Sequence, residues 1–486
     1  MRVLSVTSEF FPLIKTGGLA DVAGALPAAL AGLGCEMRTL LPGYPSVLEK
    51  VRETRSVASL PDLMGGPAEL LETEVAGAKL LLIAAPHLYA RPGGPYLDPA
   101  GLDWADNHLR FAALCWVARE IGLGRLGAWR PDVVHAHDWQ GGLAPAYLEL
   151  AGEPRPGTVM TVHNLAFQGW FPATNLAALR LPAAAFSLAG VEYFNGIGFL
   201  KAGLFYADRL TTVSPSYARE IQTPAGGAAL DGLLRARAPD LLGILNGIDE
   251  EVWNPETDSL LPQTYGPKSP KGKAACKAAL QARLGLDPDP ATPLFCVVSR
   301  LTWQKGMDLL LTLVPELMAR GVQLGMLGSG DAALEGGFLQ ATADHPGRVG
   351  CIMGYDESLS HLLQGGSDAI LVPSRFEPCG LTQLIGLRYG TLPIVARVGG
   401  LADTVVDANE AALADGVATG FQFAPVTAEA FLETIERALR LYREPKVWEG
   451  LVRRAMTREV GWKRSARHYL DLYRTVARSP AEGAPA

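Results

Sequence analysis

Several charged and polar residues in this chain stand where apolar runs break into glycine-containing loops. Residues 368–390, DAILVPSRFEPCGLTQLIGLRYG, read as a buried strand, a loop and a helix. The loop carries one acid, Glu377, and the predicted helix opens at Gly380 with Thr382 in its first turn. Free backbone N–H groups and the helix dipole make such a junction an anion site, and Gly380 permits close approach of a ligand. Glu377 would then lie beside a bound phosphate compound; the plain alternative is a solvated acid on an ordinary strand–loop–helix. Lys15 precedes Gly17-Gly18 between another predicted strand and helix. A lysine and glycines there suit a phosphate, although the spacing fits neither a Walker A loop nor GxGxxG, and turn punctuation is the alternative. Arg300 and Lys305 lie five apart across a third strand–helix loop with no acid between them. Two such cations fit a diphosphate clamp, the arginine fork matching phosphate geometry; surface decoration is the plain reading.

Asp138 and His163 each follow a predicted strand, at 132–135 and 159–162, where a doubly wound sheet places its ligands. The cluster His135, His137, Asp138 and His163 raises the question of zinc. His135 and His137 are strand-period neighbours, and no HExxH or cysteine spacing supports a metal. Asp287-Pro288-Asp289 is a formal DxD, but interleaved prolines in an expected surface linker argue against a metal motif. No metal site is therefore expected.

The elements that position these groups alternate strand and helix. A strand over residues 2–6 is followed by a helix with Leu19, Val22, Ala23, Leu26 and Leu30 on one face, then a strand at 37–41. A hairpin is expected at 70–85, an exposed loop presenting Tyr96 at 91–98, and an amphipathic helix over 107–121. Residues 243–249 read as the crossing between domains, and 258–293 as a Pro/Lys/Gly-rich linker. A second strand series follows at 294–298, 323–327, 349–353 and 392–395, and a final helix spans 462–476. Lys15–Val22, KTGGLADV, has an echo in Val398–Val405, VGGLADTV, which suggests two analogous halves.

Composition agrees. A chain of 486 residues is too long for one ordinary core, and 48% hydrophobic content supports well-packed domains. A formal charge of −7 argues against nucleic acid as the main partner. The six cysteines form no CxxC pair and several lie in apolar runs, as expected for reduced thiols in a cytoplasmic protein. No signal peptide and no membrane-spanning run is expected. Oligomeric state stays open.

These residues resemble a family. KTGGLADV, HAHDW at 135–139, Val162-His163-Asn164-Leu165, LKAGLFYADRLTTVSPSYAREI, NGID, SRLTWQKG, GSGD, EPCGLTQ, RYG and GGLADTV are similar to bacterial glycogen synthases and plant starch synthases, over residues 1 to 476. Val398 stands where many relatives carry Thr, and the 91–98 loop matches only around its Gly and Tyr. The resemblance implies an α/β fold of the GT-B type, two Rossmann-like doubly wound domains facing a central cleft, with the C-terminal helix crossing back to the first. The implied boundaries are 1–243 for the acceptor-side domain, 244–250 for a hinge, 251–457 for the nucleotide-sugar domain, 458–478 for the returning helix and 479–486 for a tail. The implied reaction is metal-free, cofactor-free, retaining transfer of glucose from ADP-glucose to the non-reducing end of an α-1,4-glucan such as glycogen.

The resemblance also implies roles. Arg300, Lys305, Lys15, Gly17, Gly18 and the Cys379-Gly380-Leu381-Thr382 turn would bind the diphosphate, and Gly354 and Tyr355 the base. Asn246, His163 and Glu377 would hold the sugar, and Asp138 would lie near the reacting centre. Glu9, Tyr96 and Asn164 would meet the glucan. For the retaining step, Glu377 or Asp138 as a nucleophile competes with attack on the face of the departing phosphate. The second is favoured because the leaving diphosphate is itself a base within reach. Alternatives remain in view. UDP-glucose would stack on Tyr355 equally well. A nicotinamide oxidoreductase would need GxGxxG, a phosphorylase a Schiff-base lysine, and a glucan-binding protein would not need Lys15, Arg300, Lys305 and Glu377 together.

Overall fold

The computed structural model describes residues 1–478, so the tail expected at 479–486 lies outside the described residues. The chain forms two compact units, one of Met1–Asn246 joined by the chain from Trp462, the other of Gly247–Gly461.

In the first unit the strands are β1 (Arg2–Val6), β2 (Glu36–Pro42), β3 (Arg55–Leu60), β4 (Ala68–Val75), β5 (Ala78–Ala84), β6 (Val133–His137), β7 (Gly157–Val162), β8 (Trp170–Pro172), β9 (Glu192–Tyr193), β10 (Gly196–Gly198), β11 (Arg209–Thr212) and β12 (Leu241–Gly243). One nine-stranded sheet has the order β12-β11-β7-β6-β1-β2-β5-β4-β3, and β8, β10 and β9 make a small separate sheet. β4 runs antiparallel to both its neighbours, β3 and β5, near the edge; the other pairings of the large sheet are parallel. β6 and β7 are buried along their whole length, as strands covered on both faces are, and so show no alternation of buried and exposed residues. The winding direction reverses between β1 and β6, which opens a crevice beyond their carboxyl ends.

The helix Asn107–Gly122 is not amphipathic as expected. It packs against β1, β2, β6 and the helix Leu143–Glu149, and ten of its residues are buried, Asn107 and Arg110 among them. The last helix, Lys463–Val476, places Ala466, Tyr469, Tyr473 and Val476 in one core with Val3, Val22, Leu26, Leu30, Val133 and Val159. That core returns the end of the chain to the first unit. A Cβ on Gly157 would stand 2.0 Å from the Val476 carbonyl oxygen. Gly157→Ala should therefore push this helix off β7, at a cost of roughly 1–3 kcal/mol. A thermal melt should show the unfolding midpoint lowered by several degrees, whereas an unchanged midpoint would show that the helix adapts freely.

The second unit holds β13 (Leu294–Val298), β14 (Gln323–Gly328), β15 (Val349–Met353), β16 (Ala369–Val372), β17 (Leu392–Ala396) and β18 (Phe421–Phe423), all parallel, in the order β15-β14-β13-β16-β17-β18. The switch point lies between β13 and β16, so the loops after these two strands meet. The linker expected at 258–293 is instead built into the unit. Gly272–Leu284 is a helix with Cys276 and Leu280 fully buried and a left-handed Gly285 ending it. Its alanine-rich run supplies helix propensity, and Cys276, Leu280 and Leu284 repeat every four residues. Asp289 closes a local turn, accepting from Ala291 N at 2.9 Å and Thr292 Oγ1 at 2.6 Å. Among the described residues no helix is long and apolar enough to cross a membrane.

Asp258, in the same stretch, is buried and bonded to His361 Nδ1 at 2.7 Å and to the Tyr389 hydroxyl at 2.6 Å. His361 also stacks on Trp253 with ring centroids 3.9 Å apart. Burial alone would lower the His361 pKa, but the hydrogen bonds and charges of Asp258 and Glu357 outweigh it and raise it from 6.5 to about 9. A histidine raised in this way stabilises the fold fully below 6.5 and loses that contribution as pH rises through about 9. The contribution is on the order of 3 kcal/mol. Wild-type stability should therefore fall between these pH values relative to His361→Gln, read from denaturant midpoints; parallel pH profiles of the two proteins would contradict it.

Candidate active site

In the first unit the loop after β1 is organised by Glu9. Its buried carboxylate accepts from Thr16 N and Thr16 Oγ1, both at 2.5 Å, from Gly17 N at 3.2 Å and from the Tyr96 hydroxyl at 2.5 Å. Tyr96 is thus not presented outward by an exposed loop. Its ring turns inward and its oxygen also meets Ser8 Oγ at 2.7 Å. Glu9 and Tyr96 hold the loop that carries Lys15, and Lys15 itself pairs with Asp21 at 2.8 Å. Gly17 precedes the first helix, Gly18–Ala31, and a Cβ there would meet nothing within 4 Å, so the helix start is open to a ligand.

β6 extends two residues beyond its expected end, so His137 lies inside the strand rather than in the loop. Asp138 follows at φ +52°, a left-handed conformation that costs energy for a residue with a Cβ. Its Oδ1 accepts from the His163 backbone N–H at 2.7 Å. Burial raises the Asp138 carboxyl from 3.8 to about 7, against the lowering effect of the His163 and Asn164 N–H groups and with a small addition from Glu9. His163 Nε2 lies 3.0 Å from His137 Nδ1, and His137 Nε2 lies 3.1 Å from Ser5 Oγ. His135 bonds to Tyr473 of the last helix at 2.7 Å and to Thr161 at 2.6 Å. Burial lowers all three imidazoles, His135 and His163 to about 3, so they are neutral at physiological pH. Both nitrogens of His135 and of His137 are used in this stack. Among the described residues no three His, Cys, Asp or Glu side chains stand grouped as metal ligands. Asn164 Oδ1 accepts from Ala166 N at 3.0 Å. Asn246 is 8% exposed, and its Oδ1 is buried without a hydrogen-bond partner among the described residues.

In the second unit the loops after β13 and β16 line a cavity of about 60 Å³, bounded by Ser299, Lys305, Ser374, Glu377, Gly380 and Thr382 among others. Glu377 is 8% exposed, and its Oε2 accepts from Lys305 Nζ at 2.5 Å and Ser374 Oγ at 3.0 Å. The two cations of the expected clamp therefore differ: Lys305 is paired, while Arg300 is exposed and has no ion-pair partner among the described residues. The helix expected to open at Gly380 begins at Thr382, with Leu381 as its N-cap. Gly380 sits before it at φ +74°, and this left-handed turn ends the strand–loop path and starts the helix late. Cys379 is buried at 4% exposure. Gly354 adopts φ +115° with open space where a Cβ would be, and the neighbouring Tyr355 ring is 80% exposed, its hydroxyl bonded to Glu357.

Sequence reasoning missed Ser374, Ser5 and Tyr473 as partners of site residues. Ser374 was within reach as the polar residue three before Glu377; the other two meet their histidines only through the tertiary fold. The echo between the halves is partly structural, since helices begin at Gly18 and at Gly399.

Residues 2–236 match the family described as starch synthase catalytic domain, and residues 283–450 the family described as glycosyl transferases group 1. The chain is 57% identical over 478 residues to a glycogen synthase of Methylocella silvestris, covering 98% of this chain and 99% of that one. It is 57% identical over 476 residues to a glycogen synthase of Rhodopseudomonas palustris, with 98% and 99% covered. The solved catalytic domain of starch synthase IV from Arabidopsis thaliana, bound to ADP and acarbose, superposes with a TM-score of 0.87 at 31% identity over 98% of this chain and 99% of that one. The fold is α/β of the GT-B type, built on two Rossmann-like sheets, and the chain belongs to the glycogen and starch synthase family of glycosyltransferases.

Proposed function

We propose that the chain is a glycogen synthase that transfers glucose from ADP-glucose to the non-reducing end of an α-1,4-glucan, retaining configuration and releasing ADP, in the cytoplasm and with no metal or other cofactor. The observation that carries this reading is the switch-point cavity of the second unit, where Lys305, Glu377 and the Gly380–Thr382 helix start converge beside the loop of Arg300. A leaving diphosphate needs fixed positive charge, and side chains with helix N-termini can supply it. Residues 251–457 would form the nucleotide-sugar domain, 1–243 the acceptor-side domain, 244–250 the hinge and 458–478 the returning helix.

In this reading Arg300, Lys305 and Lys15 neutralise the diphosphate, aided by Gly17, Gly18, Cys379, Gly380, Leu381 and Thr382. Tyr355, beside Gly354, stacks on the adenine with its exposed ring. Asn246 offers its unpartnered oxygen to a sugar hydroxyl, which would relieve the cost of that buried acceptor. His163 and Glu377 hold further hydroxyls. Asn164 meets the glucan, and Glu9 and Tyr96 act on it by shaping the neighbouring loop. Attack on the face of the departing phosphate is favoured over a covalent intermediate. Glu377 is held by a cation and a hydroxyl, and Asp138 already accepts the His163 N–H, so neither carboxylate is a free nucleophile.

Labelled glucose from ADP-glucose should enter glycogen and be recovered as maltose after digestion by an exo-acting β-amylase. Label resistant to that enzyme, or found only as free glucose, would refute transfer to non-reducing ends.

A further inference from the structure

Arg375 joins the two loops that meet at the switch point of the second unit. Its Nη1 and Nη2 bond to Asp308 Oδ1 and Oδ2, each at 2.7 Å, a bidentate pair. Nη1 also donates to the Trp303 carbonyl at 2.6 Å, and the guanidinium lies over the Trp303 ring, 4.4 Å from its centroid. The Arg375 backbone N–H donates to the Gln304 carbonyl at 2.8 Å, and Gln304 Nε2 reaches back to the Phe376 carbonyl at 3.4 Å. The backbones close together at the same place. Gly306 adopts φ +69°, and a Cβ there would lie 2.0 Å from the Pro373 carbonyl oxygen. Every tie runs between the segment 303–308, which carries Lys305, and the segment 373–376, which leads into Glu377.

We infer that Arg375 and Asp308 form a clamp that fixes the spacing between the Arg300–Lys305 loop and the Glu377 loop, so that Arg375 is a positioning residue for the glucosyl transfer proposed above, on which this inference rests. Asp308 lies in the first turn of the helix Met307–Ala319, where the dipole favours its charge, and Arg375 lowers its pKa further. An isolated surface ion pair contributes little to stability, so a bidentate and stacked pair here is expected to act on geometry more than on folding. A displacement of ~1 Å at a charge-neutralising site can cost about 10²-fold in rate.

The test uses the full chain, with ADP binding by calorimetry and glucosyl transfer to glycogen by steady-state kinetics. Arg375→Ala should lower ADP affinity and kcat by about tenfold or more each, with KM for glycogen within about twofold and the melting midpoint nearly unchanged. Arg375→Lys should recover little, because an ammonium makes neither the fork nor the stack. Asp308→Ala should reproduce much of the loss, and the double variant should be no worse than Arg375→Ala, since the two act as one unit. Arg320→Ala serves as the control, because it removes ion pairs to Glu316 and Glu436 in the same unit away from these loops. Arg375→Ala with ADP affinity and kcat within twofold of wild type, a loss no larger than that of Arg320→Ala, or additive effects of the two clamp substitutions would each overturn the clamp. Wild type that binds ADP but transfers no glucose would sink the transferase reading, while the ADP affinities of the variants would still decide the clamp. Wild type that binds no ADP would overturn both.

Discussion

Arg300→Ala and Lys305→Ala should each lower kcat by about 10²-fold or more while leaving KM for glycogen close to the wild-type value. The reason is where charge develops. When the bond from the anomeric carbon breaks, the diphosphate gains negative charge that must be met by fixed groups. Arg300 is exposed and unpaired among the described residues, so its charge is available to a ligand. Lys305 is held at 2.5 Å from Glu377, which orients it while leaving two ammonium protons for a phosphate. The two substitutions should differ in a second respect. Lys305→Ala also takes the paired cation from buried Glu377, leaving it the Ser374 hydroxyl, and a buried carboxylate without its counter-charge is costly. It should therefore lose stability as well as rate, whereas Arg300→Ala should lose rate alone. Near-normal turnover in either variant would remove that residue from the site.

The second large effect is expected at Asp138. Its ionised carboxylate accepts the His163 N–H and so shapes the loop of His163 and Asn164. With burial raising its pKa to about 7, kcat/KM should fall as pH drops through about 7, because protonation weakens those bonds. Asp138→Asn should lower kcat by about 10²-fold or more and flatten this limb of the profile. Stability should move the other way. An acid whose folded pKa lies above its unfolded value of 3.8 binds more protons when folded, so it costs stability increasingly as pH rises from 3.8 through about 7. Asparagine carries no such penalty and tolerates the φ of +52° better than most residues. At pH 8 the variant should melt higher than wild type, by up to a few kcal/mol of stability. Stability held back for function is common at active sites. A variant both inactive and less stable would show that Asp138 supports the fold instead.

The parallel sheets were legible because buried strands such as AILV at 369–372 and LFCVV at 294–298 are short apolar runs that stop at loops. Such runs, alternating with helices, leave little choice but a doubly wound sheet. The location of the charged loops followed from the same pattern. What stayed hidden depends on partners far away in sequence. The pairing of Lys305 with Glu377 spans 72 residues, and the bond from His135 to Tyr473 spans 338. Tyr96 reads as exposed because its loop is rich in glycine and proline, yet its hydroxyl finds Glu9 and Ser8, 87 and 88 residues earlier. The helix Gly272–Leu284 is masked by proline- and lysine-rich flanks, although the sequence carries its four-residue repeat. The late start of the helix at Thr382 turns on one glycine torsion, which composition alone does not set. The charged residues around the switch-point cavity were thus readable by type and position, and their mutual geometry was not.

The most direct test mixes the pure protein with glycogen and either ADP-glucose or UDP-glucose, in EDTA, and follows the released nucleotide diphosphate. ADP release that requires glycogen, proceeds in EDTA and exceeds UDP release is the expected result. Release that is independent of glycogen, lost in EDTA or absent with both donors would contradict the account that side chains and helix N-termini alone carry the leaving diphosphate in a glucosyl transfer.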